Sequence, residues 1–345
     1  MRPRLMLLAF CLTLAASAVL IFQTGVVRPG ATRTAHGAAP RRLPAPPAAT
    51  VSFPRRTPAA GPAVLSYLTP APPAASVSLP PVSPLDVAAL HQDVPVQLRQ
   101  LSVGRSRVAL LVGGLPVSRH VLWRSSVGQF VKAAGAAAGV NGTFFKDAAI
   151  ASNDSNMLGP MLTAGGDFLS ETDPVQLRKI AGRPLVAWSH DQFLVTAFDP
   201  ATMNREAAVR AMLPGMTDAF LAGGWLVHGG QALSTAQMMV HAPKDAQEVR
   251  PRVFFGVTKG GLSIAGATVT PVSSARLAQI AQEAGAQEAV LMDSGYSTSL
   301  IYGERVLAVG HKTRSVPSRP VPHAIVFMNP VPLLVNVTQV RASQP

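Results

Sequence analysis

Asp293 has the most chemically suggestive setting in this chain. It closes the short run Glu288-Ala289-Val290-Leu291-Met292 and is followed at once by Ser294-Gly295-Tyr296-Ser297-Thr298-Ser299. An apolar run bounded by turn residues reads as a buried strand, so Asp293 is expected at the rim of a sheet, facing a cleft. The small residues after it leave backbone N–H groups and hydroxyls to face a ligand. Gly295, Ser297 and Thr298 therefore join Asp293 as candidates for an anion or sugar-phosphate site. The plain alternative is that Asp293 caps a turn while Ser297 and Thr298 bond locally.

Three other segments carry candidate groups. Val140-Asn141-Gly142-Thr143-Phe144-Phe145 contains a turn signal, because Asn141 and Gly142 both tolerate positive φ. Arg250-Pro251-Arg252-Val253-Phe254-Phe255 puts a guanidinium at the head of an apolar strand. Burying Arg252 there is costly without a partner, and its planar fork matches phosphate oxygens. A salt bridge to Asp293 or to a surface carboxylate would satisfy it equally. Gly223-Gly224-Trp225-Leu226-Val227-His228 begins with a glycine pair that either allows close approach to a ligand or makes a tight turn. His228 is an acid–base candidate whose bland reading is structural. Trp225 either stacks on a sugar or packs in the core.

Other signatures fail. Gly295-Tyr296-Ser297-Thr298-Ser299 lacks the final glycine of a nucleophile elbow. Zincin, EF-hand, Walker A and dinucleotide patterns do not occur. No cofactor is identified and no metal ligand is assigned; a divalent cation held by scattered Asp and His is left open.

In order and spacing, the segments around Asn141, Arg252 and Asp293, with Arg319-Pro320-Val321-Pro322-His323-Ala324-Ile325, resemble the phosphodiester glycosidase domain family of the uncovering-enzyme type. That family shows N-G-x-F-F early, R-x-x-x-G centrally, D-G-G-G-S-T late and R-x-V-P-x-A-I near its end. The resemblance spans about Val108 to Met328. It implies an exported hydrolase acting on a sugar-1-phosphate diester in a phosphorylated glycan or cell-envelope polysaccharide. It also implies that Asp293, Arg252 and Asn141 are catalytic, and that Gly142, Gly224, Gly295, Ser297, Thr298 and His228 contact substrate. Arg252→Ala is then expected to silence turnover and leave the fold intact. The chain departs from the pattern at Ser294 and Tyr296, where the family has glycines, and at Lys146, where it often has an acid. A non-catalytic glycan-binding domain of the same fold is the alternative, and an anchored interaction platform is a third reading.

The termini and charge fit an envelope protein. Arg2 and Arg4 precede a nearly unbroken apolar run from Leu5 to Phe22, as in an export signal, and the run is also long enough to cross a bilayer. Residues 1–27 are thus expected to be a cleaved signal or a membrane anchor, and residues 28–85, rich in Pro and Ala, a disordered tether. Cys11, the single cysteine, lies within the apolar run, so disulfides and thiolate metal sites are excluded from the rest. The net charge of +13 owes much to eight arginines before residue 57. A basic tail suits anionic lipid. Nucleic acid is a poor partner for an exported chain lacking basic-aromatic motifs.

Residues 86–345 suffice for one large domain. Strands are expected at Val108–Val112, Phe193–Phe198, Phe220–Val227, Val253–Val257, Leu262–Val269, Val290–Met292 and Ala324–Met328. Helices are expected at about Arg124–Ala138 and at Ser273–Ala284, the latter capped by serine and ended by Gly285. A helix running directly into the Asp293 strand suggests a βαβ-like crossover. The expected class is mixed α/β, with curved mixed sheets and a few packed helices in a single catalytic-type domain.

Overall fold

The apolar runs become strands, and their pairings build three sheets. A computed structural model describes residues 87–146, 156–242, 247–311, 313 and 315–330. The expected leader 1–27 and the whole of the expected linker 28–85 lie outside these residues. The described part falls within one unit, Ala71–Pro345.

One sheet orders Val87–Ala89, Gln192–Ala197, Pro184–Trp188, Asp218–Leu221 and Met161–Leu162. The largest orders Gln231–Ala232, Gly224–His228, Ala286–Leu291, Val253–Thr258, Ser263–Thr268, Ser106–Val112 and Gln97–Val103. The third orders Arg305–Val309, Ser299–Tyr302, Ala138–Asn141, Val321–Met328 and Leu115–Ser125. With five helices packed among them in the described residues, the class is mixed α/β. Strand direction refines the expectation of mixed sheets, because every ladder between these strands is antiparallel. Short hairpins such as Val253–Thr258 to Ser263–Thr268 impose that direction.

The crossover into the Asp293 strand takes a split form. Ser263–Thr268 and Ala286–Leu291 both pair antiparallel to Val253–Thr258, which lies between them, so the two run parallel. The connecting helix, Ser274–Glu283, starts where the Ser273 hydroxyl accepts from the Arg276 N–H. The chain leaves it through Gly285 at φ 89°. The other expected helix is shorter, Val127–Ala134, set by a Ser126–Gln129 capping box and a left-handed Gly135. Arg124 and Ser125 remain in the preceding strand, and Ala138 opens the next.

The run Phe220–Val227 is two strands in two sheets rather than one. Asp218–Leu221 ends in the first sheet, and Gly224–His228 begins in the largest. The switch falls at Gly223, whose N–H donates to the Leu291 carbonyl at 2.9 Å. A Cβ at Gly223 would lie 2.1 Å from the Phe144 ring, so the crossing needs glycine there.

The core lies where the sheets face one another. Trp188, Phe193, Phe220 and Phe255 form a buried aromatic cluster with centroids 5.4–6.4 Å apart, and Phe327 joins it through Phe255. Burial of these rings is a main source of stability. Leu115–Ser125 lies at the rim of the third sheet. There His120 pairs with His323 and Ser125 with Val321, so four residues, Val121–Arg124, stand opposite Pro322 alone. Pro322 has no N–H for the ladder, and the looped segment turns Leu122 and Trp123 to solvent.

Candidate active site

Asp293 emerges from the Ala286–Leu291 strand beside the end of Ala138–Asn141. Its N–H donates to the Gly142 carbonyl at 3.1 Å. The Asn141 amide donates to the Asp293 carbonyl at 2.8 Å, and its oxygen accepts from the Ser299 N–H at 2.9 Å. Fully buried, Asn141 thus ties Asp293 to the start of the Ser299–Tyr302 strand. Its amide bonds only backbone atoms among the contacts seen in this structure.

The Asp293 carboxylate accepts from the Ser294 N–H at 2.8 Å and faces the Arg319 guanidinium at 3.1 Å. Arg319 Nε donates to the Ser297 hydroxyl at 2.6 Å, and Ser297 in turn bonds Asp293. Burial raises the Asp293 pKa, while the Arg319 charge is the main opposing influence, helped by Ser297 and Ser294. The guanidinium carbon of Arg319 lies 4.8 Å from the Phe145 ring centre, and that of Arg124 lies 5.0 Å from it. Phe145 therefore braces cationic side chains beside a carboxylate. Arg319 opens the R-x-V-P-x-A-I pattern in the sequence, 26 residues beyond Asp293.

Gly142 is packed so closely on His323 that a Cβ would lie 2.1 Å from the imidazole. Gly295 has φ 64°, and its N–H donates to the Pro251 carbonyl at 2.9 Å. Thr298 is buried, and its hydroxyl has no hydrogen-bond partner among the described residues. Backbone hydrogen bonds tie the Arg252 segment to that of Asp293, with Pro251 and Val253 accepting from Gly295 and Met292. The buried Arg252 guanidinium donates to the Glu248 carbonyl, and the arginine paired with Asp293 is Arg319 instead. Gly224 is buried opposite Leu291. His228 bonds Glu288 at 3.1 Å, toward the start of the Asp293 strand, where Glu288 also accepts from Trp225 Nε1 and the Gly229 N–H. Lys146 pairs with Glu171 at 2.7 Å.

A buried polar network underlies the Asn141 turn and had no sequence signal. His323 Nδ1 accepts from the Thr143 N–H at 2.9 Å, so its proton sits on Nε2 and is donated to the Ser118 hydroxyl at 2.7 Å. Burial, then His120, lowers the His323 pKa to about 3. Asp218 accepts from the Ser118 and Ala164 N–H groups and the Thr217 hydroxyl. Burial nonetheless raises its pKa to about 6. Among the described residues, no group of three or more His, Cys, Asp and Glu is placed to hold a metal ion. No helix among them is long and apolar enough to cross a membrane; the Leu5–Phe22 run lies outside them.

A buried carboxylate paired with a guanidinium can bind a phosphate, hold a proton, and favour positive charge beside it. The family model for phosphodiester glycosidase matches residues 134–328. No curated protein matches the chain in sequence. The structure is similar to the catalytic domain of zebrafish N-acetylglucosamine-1-phosphodiester alpha-N-acetylglucosaminidase, auto-inhibited by its pro-peptide. The TM-score is 0.56 at 9% identity, over 71% of this chain and 88% of that one. A hypothetical protein from Synechocystis gives a TM-score of 0.47 at 14% identity, over 67% of this chain and 61% of that one. The likeness to the zebrafish domain is one of fold.

Proposed function

The chain belongs to the phosphodiester glycosidase family, and from that premise we propose that it hydrolyses a glycosyl-1-phosphate diester of a phosphorylated envelope glycan or related substrate. The observation that carries this reading is the Asp293–Arg319 contact at 3.1 Å, with Ser297 bridging both groups. Arg319 binds the phosphodiester and stabilises the charge that collects on the leaving phosphate. Asp293, released from its resting partner, accepts a proton from the attacking water. The water oxygen bonds to the anomeric carbon as the bond from that carbon to the phosphate oxygen breaks. The phosphate monoester departs with the electron pair, leaving the free sugar.

Asn141 holds Asp293 in place, and Thr298, Ser297, Gly295 and Gly142 shape the sugar side. Arg252 anchors the Glu248 turn at the rim. Residues 1–27 direct export, 28–85 form a tether, and 86–345 form the hydrolase. Incubating the protein and its Asp293→Asn variant with a panel of chromogenic sugar phosphodiesters tests the reading. Release of sugar by the parent and its loss in the variant are expected. Saturable glycan binding without product would overturn it in favour of a binding domain.

A further inference from the structure

A cavity of about 920 Å³ opens beside Arg319 and reaches Val249, Val269, Tyr296, Val316 and Arg250. Among the described residues ten large hydrophobic side chains are exposed, and four of them line this one cavity. Single exposed apolar residues are ordinary, but a cluster marks a binding surface. The Tyr296 ring is 63% exposed and stacks on His311, with centroids 4.7 Å apart and planes at 28°. The stack fixes an apolar wall in one orientation. Tyr296 also stands where the family pattern has glycine, so this wall is a property of the present chain.

The cavity is continuous with the catalytic groups. The Arg319 N–H donates to the Tyr296 carbonyl at 2.9 Å, and the Arg319 side chain pairs with Asp293. A ligand holding its phosphate at Arg319 would lay the next part of its structure on the valines and the tyrosine. Sugar hydroxyls lose hydrogen bonds to water against such a wall. A hydrocarbon gains there.

We propose that this cavity is the leaving-group subsite and that it takes an apolar alcohol, so that the substrate is a sugar phosphodiester of a long-chain alkyl or isoprenoid alcohol. The proposal rests on the hydrolase reading and names the leaving group. Calorimetric titration of the full chain with inorganic phosphate, butyl phosphate, octyl phosphate and a hexose 6-phosphate tests it. Affinity is expected to rise from butyl to octyl phosphate by up to about fourfold per buried methylene, with the hexose phosphate weaker than octyl phosphate. Tyr296→Gly and the Val249→Ser/Val316→Ser double variant flatten that rise to less than about twofold per methylene. Arg319→Met weakens every ligand and keeps the rise.

Equal affinities for butyl and octyl phosphate, a tighter hexose phosphate, or a rise that survives in both cavity variants would overturn the proposal. Sugar-phosphodiester turnover is measured separately. No turnover with an intact chain-length dependence removes the hydrolase and leaves the subsite, whereas turnover with a flat series does the reverse.

Discussion

Arg319 touches Asp293 twice, directly and through Ser297, so its removal changes both charge and geometry at one carboxylate. Arg319→Met is expected to lower turnover by on the order of 10²–10³, the cost of a lost charge-stabilising donor. It also removes the main influence holding the Asp293 pKa down, so the acid limb of the kcat profile should move to higher pH. A limb that stays in place would exclude Asp293 as the base. Arg252 invites a different expectation. With its guanidinium buried against the Glu248 carbonyl, Arg252→Ala should first lower stability, by about 1–3 kcal/mol, read from the denaturant midpoint. Asp293 was legible because an apolar run ends on it. The contact from Arg319 was not, since which of two arginines reaches a carboxylate depends on how distant strands align.

At the scale of elements, the Asn141–Thr143 turn is where three chain segments are fixed together. Asn141→Ala leaves the Ser299 N–H and the Asp293 carbonyl without their partner, which should cost about 1–3 kcal/mol and be visible in thermal unfolding. Gly142→Ala would drive a methyl group into His323, and overpacking of this kind costs about 1–3 kcal/mol. Caps were readable from the chain: Ser273 and Gly285 begin and end their helix through local chemistry. The division of Phe220–Val227 was not readable, because the glycine at the switch answers to Phe144, far away in sequence. The bridge from His323 to Ser118 was hidden for the same reason.

For the whole molecule, His323 and Asp218 act on stability in opposite senses. His323 has a lowered folded pKa, so its contribution is lost as pH falls from 6.5 toward about 3. Asp218 has a raised folded pKa, so its contribution is lost as pH rises from 3.8 toward about 6. Around pH 5 each group changes stability by about 1 kcal/mol per pH unit, in opposite directions, so the two slopes largely offset. Denaturation across that range should therefore show a plateau from this pair. Asp218→Asn should replace the plateau with a rise in stability toward neutral pH, and an unchanged profile would contradict the opposed titrations of Asp218 and His323.

The break opposite Pro322 has a consequence for solubility. An unpaired outer strand is a template on which a second chain can add, and straight templates recruit best. Four looped residues set against a proline deny that straightness along part of Leu115–Ser125. Shortening Val121–Arg124 and replacing Pro322 would straighten the border, and such a variant should associate into β-rich aggregates at concentrations where the parent stays dispersed.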